Sequence, residues 1–276
     1  MPEHARTVDY AAFLARQAPL QSVPLAAYEW QGERVWLRRG AYGHRGLRRR
    51  LLGLIARAAR LPMLRPSPPA DARTAMANER ARLQAFSARG IRVPRVLASA
   101  DDAFLMSDLR GSRPGAPSLH QEIEAAMPAG SGAMLTLWQQ GLRALDTAHA
   151  QGLCVGRAFA HAMVRCPDGV IGFTDLRDDP AAALALAPAQ GQARDALAYL
   201  FSTAGLLHLA GARDPARALW AQWLAQPVRG DAFRAAVQQA ATRLAWLRYL
   251  PPDQRWGHAA WQLRAAYEQA TKLQYE

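Results

Sequence analysis

The chain has few cysteines, almost no lysine and no long apolar run, and each shortage excludes a class of protein. Its two cysteines, Cys154 and Cys166, are too few for a disulfide scaffold, and no paired Cys/His spacing indicates a zinc site. No apolar segment reaches the roughly 18 residues of a transmembrane helix. The N-terminal sequence lacks the cationic and apolar regions of a signal peptide. We therefore expect a cytoplasmic protein, soluble or peripheral on the inner membrane.

The charge of the chain is strongly one-sided. Its 276 residues include 34 Lys and Arg, of which Lys272 is the only lysine, and the formal net charge is +12. Apolar residues make up 50% of the chain, enough to bury a sizeable core as one large domain or two packed lobes. The positive charge favours an acidic partner, which leaves anionic lipid, nucleic acid and phosphorylated ligands open.

Strand-like patterns come early in the chain and helical patterns come late. Residues 25–39 alternate in polarity around Gln31-Gly32, which predicts a hairpin. Residues 72–89 predict a helix that Gly90 ends. Further strands are predicted at 91–99, 101–109, 154–159, 162–166 and 170–175. A stretch rich in Gly, Ser and Pro at 110–118 predicts a boundary, after which helical periodicity dominates.

A basic and apolar segment at 44–65 begins an insertion that runs to residue 71. Its apolar residues fall on one helical face, and they are Leu51, Leu52, Ile55 and Ala59. Around that face lie Arg48, Arg49, Arg50, Arg57 and Arg60. Two readings follow: the segment contacts an anionic membrane surface or an acidic protein partner, or it packs on the body with its arginines in water.

Five motifs occur in the order found in one large superfamily. They are VWLRR at 35–39, NERARLQAFSARGIRVPRVL at 78–97, FLMSDLRG at 104–111, the run from Leu142 to Pro180, and RDALAYLFST at 194–203. In this order they resemble the protein-kinase-like fold, most closely bacterial lipopolysaccharide (Kdo) kinases and related small-molecule phosphotransferases. The resemblance implies an α+β, bilobal fold. A small β-rich N-lobe would span 1–111 and a larger helical C-lobe 112–276.

The resemblance also implies a nucleotide site for ATP and Mg²⁺. Arg38 would take the place of the phosphate-contacting lysine, Glu79 would pair with it, and Asp175 would bind the metal. Asp195 would brace the catalytic loop. From the residues alone, Arg38 fits a solvated edge strand equally well, and Glu79 fits a surface ion pair. Asp175 also fits a turn cap, which is the role expected of Asp178 and Asp179.

The catalytic loop departs from the family pattern. Val155, Arg157 and Ala162 stand where the family has His, Asp and Asn, so the brace, the base and the second metal ligand are all replaced. Loss of a general base alone costs roughly 100- to 10,000-fold in rate. His161 is the one remaining candidate base in the loop, and it equally fits a surface or packing histidine. With no glycine-rich phosphate loop either, ATP and Mg²⁺ binding is expected to be weak or absent.

Three function hypotheses follow. The first is a pseudokinase that acts by binding or regulation near the membrane surface. The second is an atypical, active phosphotransferase that uses ATP on a lipid, saccharide or small molecule. The third, a basic nucleic-acid-binding module, rests on charge alone because no binding motif accompanies it.

Overall fold

The computed structural model describes residues 9–40, 53–54, 56–57, 59–68, 70–111 and 116–271. Arg48, Arg49, Arg50, Leu51, Leu52 and Ile55 of the basic segment lie outside these residues. Within the described ranges, none of the helices is both long and apolar enough to cross a membrane.

The first part of the chain forms a four-stranded antiparallel sheet with the strand order β1-β2-β4-β3. Its strands are β1 (Leu25–Trp30), β2 (Glu33–Arg39), β3 (Val96–Ser99) and β4 (Ala103–Ser107). The predicted hairpin is confirmed, because Gln31 and Gly32 connect β1 to β2 with φ of 51° and 82°. Positive φ at both positions is the geometry of the two-residue turn that matches strand twist. The order makes β2 an internal strand.

Apolar side chains alternate between the two faces of the sheet, and a helix packs against each face. Helix α1 (Tyr10–Gln17) lies on one face, where Phe13 packs with Leu37 and Leu105. Helix α2 (Ala72–Ala88) confirms the helix predicted at 72–89. Leu83 of α2 belongs to the same apolar core as Phe104, which points to the opposite face from Leu105. The internal strands β2 and β4 are therefore covered on both sides, one of which packs against α2.

The rest of the described chain is mainly helical. Its helices are α3 (Leu119–Ala125), α4 (Ser131–Ala150), α5 (Pro180–Ala183), α6 (Pro188–Leu209), α7 (Arg213–Ala225), α8 (Asp231–Arg243) and α9 (His258–Ala270). Helix α6 runs through the middle of this region. Its Tyr199 is fully buried, stacks on Trp138 of α4 with centroids 6.3 Å apart, and donates a hydrogen bond to the Trp138 carbonyl at 2.8 Å.

A short hairpin between α4 and α5 corrects one prediction. Strands β5 (Met163–Arg165) and β6 (Ile171–Phe173) form as expected, but the strand predicted at 154–159 is wrong. The backbone N–H groups of Val155 and Gly156 donate to the Asp195 carboxylate, so they are not available to a strand ladder. This segment is a loop that α6 fixes from behind.

The α+β prediction is confirmed, with a small antiparallel sheet and more helix than strand. One large apolar core contains Phe104 of the sheet together with Trp138 and Tyr199 of the helices. The division into lobes at 111 and 112 stays a prediction. The loop that follows α4 and the loop that follows β6 contact each other beside α2. Most of the predicted site residues lie around this contact.

Candidate functional site

Arg38 and Glu79 form a buried ion pair. The Arg38 Nε lies 3.0 Å from Glu79 Oε2, and the two residues are 7% and 3% exposed. The surface readings of both residues are therefore wrong, since Arg38 lies on an internal strand and Glu79 lies on the buried face of α2. Burial raises the pKa of Glu79, and the charge and hydrogen bond of Arg38 oppose that rise.

Asp195 holds the loop that follows α4. It is fully buried on α6, and its two oxygens accept the backbone N–H groups of Val155 and Gly156, each at 2.6 Å. The Nε2 atom of His149, near the end of α4, lies 3.2 Å from the same carboxylate. A buried carboxylate with three such contacts fixes the path of the backbone. These contacts agree with the role that the resemblance implied for Asp195, which is to brace this loop.

Asp175 is paired with two arginines. Its Oδ2 atom lies 2.9 Å from Arg157 Nε and 2.6 Å from Arg177 Nη2, and its Oδ1 atom accepts from Arg177 Nε at 2.8 Å. Burial alone would raise the pKa of Asp175. The hydrogen bonds from Arg177 and the charges of both arginines outweigh burial and lower that pKa to about 2. The carboxylate is ionised, and both of its oxygens are already bound.

Arg157 joins the two loops of the site. Besides Asp175 it contacts Asp178, whose Oδ2 lies 3.2 Å from the Arg157 Nη1. Arg157 therefore supplies positive charge beside Asp175, the residue that was predicted to bind a metal. The part of the chain that the structure describes contains no cluster of three or more His, Cys, Asp or Glu side chains suited to a metal ion.

Of the other predicted loop residues, Val155 and Ala162 carry no group for acid–base chemistry. Val155 is fully buried and Ala162 is 5% exposed, so both are packing residues. The His161 ring stacks on Phe159 with centroids 5.3 Å apart and planes 7° apart. Partial burial and the nearby Arg157 charge lower the pKa of His161. This stacking agrees with the packing reading of His161.

Arg82, which the sequence interpretation missed, ties α2 to both loops. Its Nη1 atom donates to the carbonyls of Leu176, at 2.9 Å, and Asp178, and its Nη2 atom donates to those of Cys154 at 2.6 Å and Val155 at 3.1 Å. The residue is 9% exposed. A signal was present: Arg82 follows Glu79 by three residues and so shares its helix face.

The two loops also touch directly at Gly156. This glycine has a φ of 80°, and a Cβ added there would lie 2.5 Å from the Asp178 carbonyl oxygen and 2.7 Å from Pro180 Cδ. Asp179 caps α5 by accepting the Ala182 N–H at 3.0 Å, which confirms the turn-cap role for this residue. Asp178 instead pairs with Arg157, so for Asp178 the prediction of a simple turn cap is wrong.

The end of the basic segment rests on the body of the protein. Ala56 and Leu61 are buried at 2% and 0% exposure, whereas Arg57 and Arg60 are exposed. The Arg60 carbonyl accepts a hydrogen bond from Arg243 of α8. These contacts favour the packing reading for the described residues 56–57 and 59–61, and they leave Arg57 and Arg60 in water for an acidic partner.

The two cysteines are free, and burial raises the pKa of the Cys154 thiol to about 12 and raises that of Cys166. Neither thiol is therefore activated as a nucleophile.

A comparison of the chain with models of known protein families finds no match, and no curated protein matches it.

Proposed function

We propose that this protein is a pseudokinase: a kinase-like scaffold that acts by binding or regulation beside an anionic membrane surface rather than by ordinary phosphoryl transfer. The observation that carries the proposal is the contact of Arg157 with Asp175 at 2.9 Å. Phosphoryl transfer depends on a carboxylate that orients the attacking hydroxyl and on metal ions that neutralise developing charge. Here an arginine replaces the first group and is paired with the ligand of the second.

The electrostatics of the site support the same proposal. Arg157 and Arg177 both pair with Asp175, and Arg157 also pairs with Asp178, so the carboxylate predicted to bind a divalent cation already has two cationic partners. Mg²⁺ binding would require the cation to displace two guanidinium groups from a carboxylate whose pKa they hold near 2. The same charges attract anions, which fits a site that binds a phosphate or carboxylate without metal.

A second candidate, an atypical active phosphotransferase, is favoured by one specific observation. The resemblance implies two supporting interactions for an assembled kinase site: the Arg38–Glu79 pair and the contacts of Asp195 with the loop. In both, the atoms lie within hydrogen-bonding distance. In this alternative the acceptor would be a lipid, a saccharide or a small molecule. No comparable observation favours nucleic acid.

Nucleotide-induced thermal stabilisation separates these candidates. ATP at millimolar concentration, with and without Mg²⁺, is added to the wild-type protein and to R157A and D175A, and the melting temperature is measured. We expect no Mg²⁺-dependent shift for the wild type, and a shift for R157A, in which one guanidinium leaves Asp175. Arg57→Ala, at an exposed arginine, is the matched control for loss of one positive charge. A Mg²⁺-dependent shift in the wild type that D175A abolishes favours the active phosphotransferase.

A further inference from the structure

A cavity of about 490 Å³ opens on the far side of Arg157, between the short segment at 64–67 and helices α6, α8 and α9. Its walls are largely apolar side chains, and they include Leu197, Phe201, Leu244, Leu247, Leu263 and Tyr267. Leu263 and Tyr267 of α9 are only partly buried, and both line this cavity. The volume is in the range of roughly 300–1,000 Å³ that holds a small organic ligand.

The charged groups of the cavity lie together. Among the described residues that line it, the charged ones are Arg157, Arg194 and Asp178, with a net charge of +1. Arg194 is held by the carbonyls of Met63 and Arg65, the second at 2.9 Å from its Nη1 atom. Neither arginine has a hydrogen bond from Nη2 to any residue that the structure describes. Two guanidinium groups are thus held by other contacts in the lining of a largely apolar space.

We propose that this cavity binds a single-chain amphiphile with an anionic head group, such as a carboxylate or a phosphate monoester. The acyl chain lies against the leucine and phenylalanine side chains of α6, α8 and α9. The head group accepts hydrogen bonds from Arg157 and Arg194, whose planar guanidinium groups suit both head-group chemistries. The chain contributes apolar burial and the head group contributes orientation, which is the usual division of roles in such sites.

The segment beside the cavity suits a lipid source. Leu247 lines the cavity, while Trp246 and Tyr249 of the same 3₁₀ turn are 43% and 72% exposed, and Trp256 is 68% exposed. Large amphipathic aromatics of this kind favour the interface between membrane and water. Arg248 accompanies them and adds attraction to anionic lipid, whereas the charge of Arg255 is paired with Asp253.

The inference goes beyond the proposed function and shares with it only Arg157. A head group at the Arg157 Nη2 atom leaves the Nε contact with Asp175 and the Nη1 contact with Asp178 in place. The bound amphiphile would therefore contact the loop that carries Arg157 without breaking the Arg157–Asp175 pair.

Displacement of a fluorescent fatty acid from the full chain tests the proposal. Palmitate and lysophosphatidic acid compete below their micellar concentrations, and monopalmitoylglycerol, with a matching chain and no charge, is the ligand control. We expect both anions to bind one to one and about tenfold or more tightly than the neutral compound, because a hydrogen bond to a charged group is lost. Equal binding of charged and neutral compounds, or no displacement by any of them, overturns the proposal.

Two variants locate the bound ligand. A198F fills the cavity from α6 and is expected to abolish binding of all three compounds, whereas R194Q is expected to weaken the anions about tenfold and leave the neutral compound unchanged. Arg73→Gln, at an arginine whose side chain is 75% exposed, is the control for charge and is expected to change nothing. Circular dichroism establishes that each variant is folded, and unaltered binding by folded A198F overturns the proposal.

A vesicle arm distinguishes the sources of the amphiphile. Phosphatidylglycerol vesicles carrying fluorescent lysophosphatidic acid are incubated with the protein, and transfer of the probe from vesicle to protein is followed. Transfer that A198F abolishes indicates a membrane lipid, while binding confined to free palmitate indicates a soluble fatty acid; both results support the cavity. Vesicle binding without transfer, together with no binding of free ligand, rejects it. These readouts contain no nucleotide, so their failure leaves the pseudokinase proposal standing.

Discussion

The guanidinium group of Arg157 lies 2.9 Å from the carboxylate of Asp175, so the residue that was predicted to bind a metal is already paired with an arginine. Arg157 therefore has a structural role in this chain, because it joins the loop after α4 to the loop after β6. The account of the protein as a binding scaffold rests on this pair.

The ion pairs of Asp175 predict how stability depends on pH. The pKa of Asp175 is lowered from an ordinary 3.8 to about 2, so the folded state holds the ionised form better than the unfolded chain does. This contribution, about 2 kcal/mol, is fully present above pH 4 and is lost as the pH falls from 4 toward 2. Urea unfolding across this pH range should show that D175N loses this part of the slope.

The matched control for that measurement is Asp231→Asn, because the Asp231 side chain is 97% exposed. Its pH dependence should follow that of the wild type. If D175N and the wild type lose stability in parallel between pH 4 and pH 2, the arginines do not hold Asp175 as described.

The Arg38–Glu79 pair predicts strong coupling in a double-mutant cycle. Each of R38M and E79Q leaves one buried charge without its partner, and we expect a cost of about 3–5 kcal/mol in the free energy of unfolding for each. The double variant leaves no unpaired charge and should be less destabilised than the sum of the two. Urea denaturation of the four proteins measures the coupling energy, and simple additivity would show that the two side chains act independently.

Gly156 predicts a difference between two otherwise similar glycines. Gly156 and Gly152 have φ of 80° and 70°, but a Cβ at Gly156 would collide with the Asp178 carbonyl and Pro180, whereas one at Gly152 meets nothing within 4 Å. G152A should cost about 1–2 kcal/mol for left-handed backbone alone. G156A should cost about 1–3 kcal/mol more because the two loops must separate. Equal costs in urea unfolding would mean that the loops are not in close contact.

Arg82 predicts that α2 stabilises both loops from a distance. R82M removes the donor of four backbone carbonyl contacts, and we expect a loss of at least about 3 kcal/mol, since buried carbonyls are left without partners. R73M is the control on the same helix, at an arginine that is 75% exposed, and should change stability by less than about 0.5 kcal/mol. Hydrogen exchange should show faster exchange at Val155 and Gly156 in R82M only; unchanged exchange there would contradict the role given to Arg82.

Local patterns predicted the sheet well because they depend on near neighbours. Gln31-Gly32 determines the turn between β1 and β2, and Gly90 with φ of 74° follows the end of α2. Local patterns gave the wrong prediction for the segment at 154–159, because N–H groups of this segment donate to Asp195, about 40 residues later in the chain. No local periodicity contains that information. Only the resemblance suggested that Asp195 and this loop meet.

Most residues of the candidate site were predicted, but the contacts of Asp175 with two arginines were not. The resemblance implied roles for Arg38, Glu79, Asp175 and Asp195, and the structure joins Arg38 to Glu79 as it implied. The contacts of Arg157 and Arg177 with Asp175 were not foreseen, because a chain so rich in arginine gives no signal that one arginine faces a carboxylate. Side-chain pairing across loops requires coordinates.

Transfer of the γ-phosphate tests the central claim most directly. The purified protein is incubated with Mg²⁺ and γ-labelled ATP, and release or transfer of labelled phosphate is measured for the wild type and for D175A, with candidate lipid acceptors present and absent. The account predicts that both proteins give the rate of the protein-free blank, because the Asp175 carboxylate is already bound by two arginines. Turnover by the wild type that D175A abolishes would contradict it and establish an active phosphotransferase.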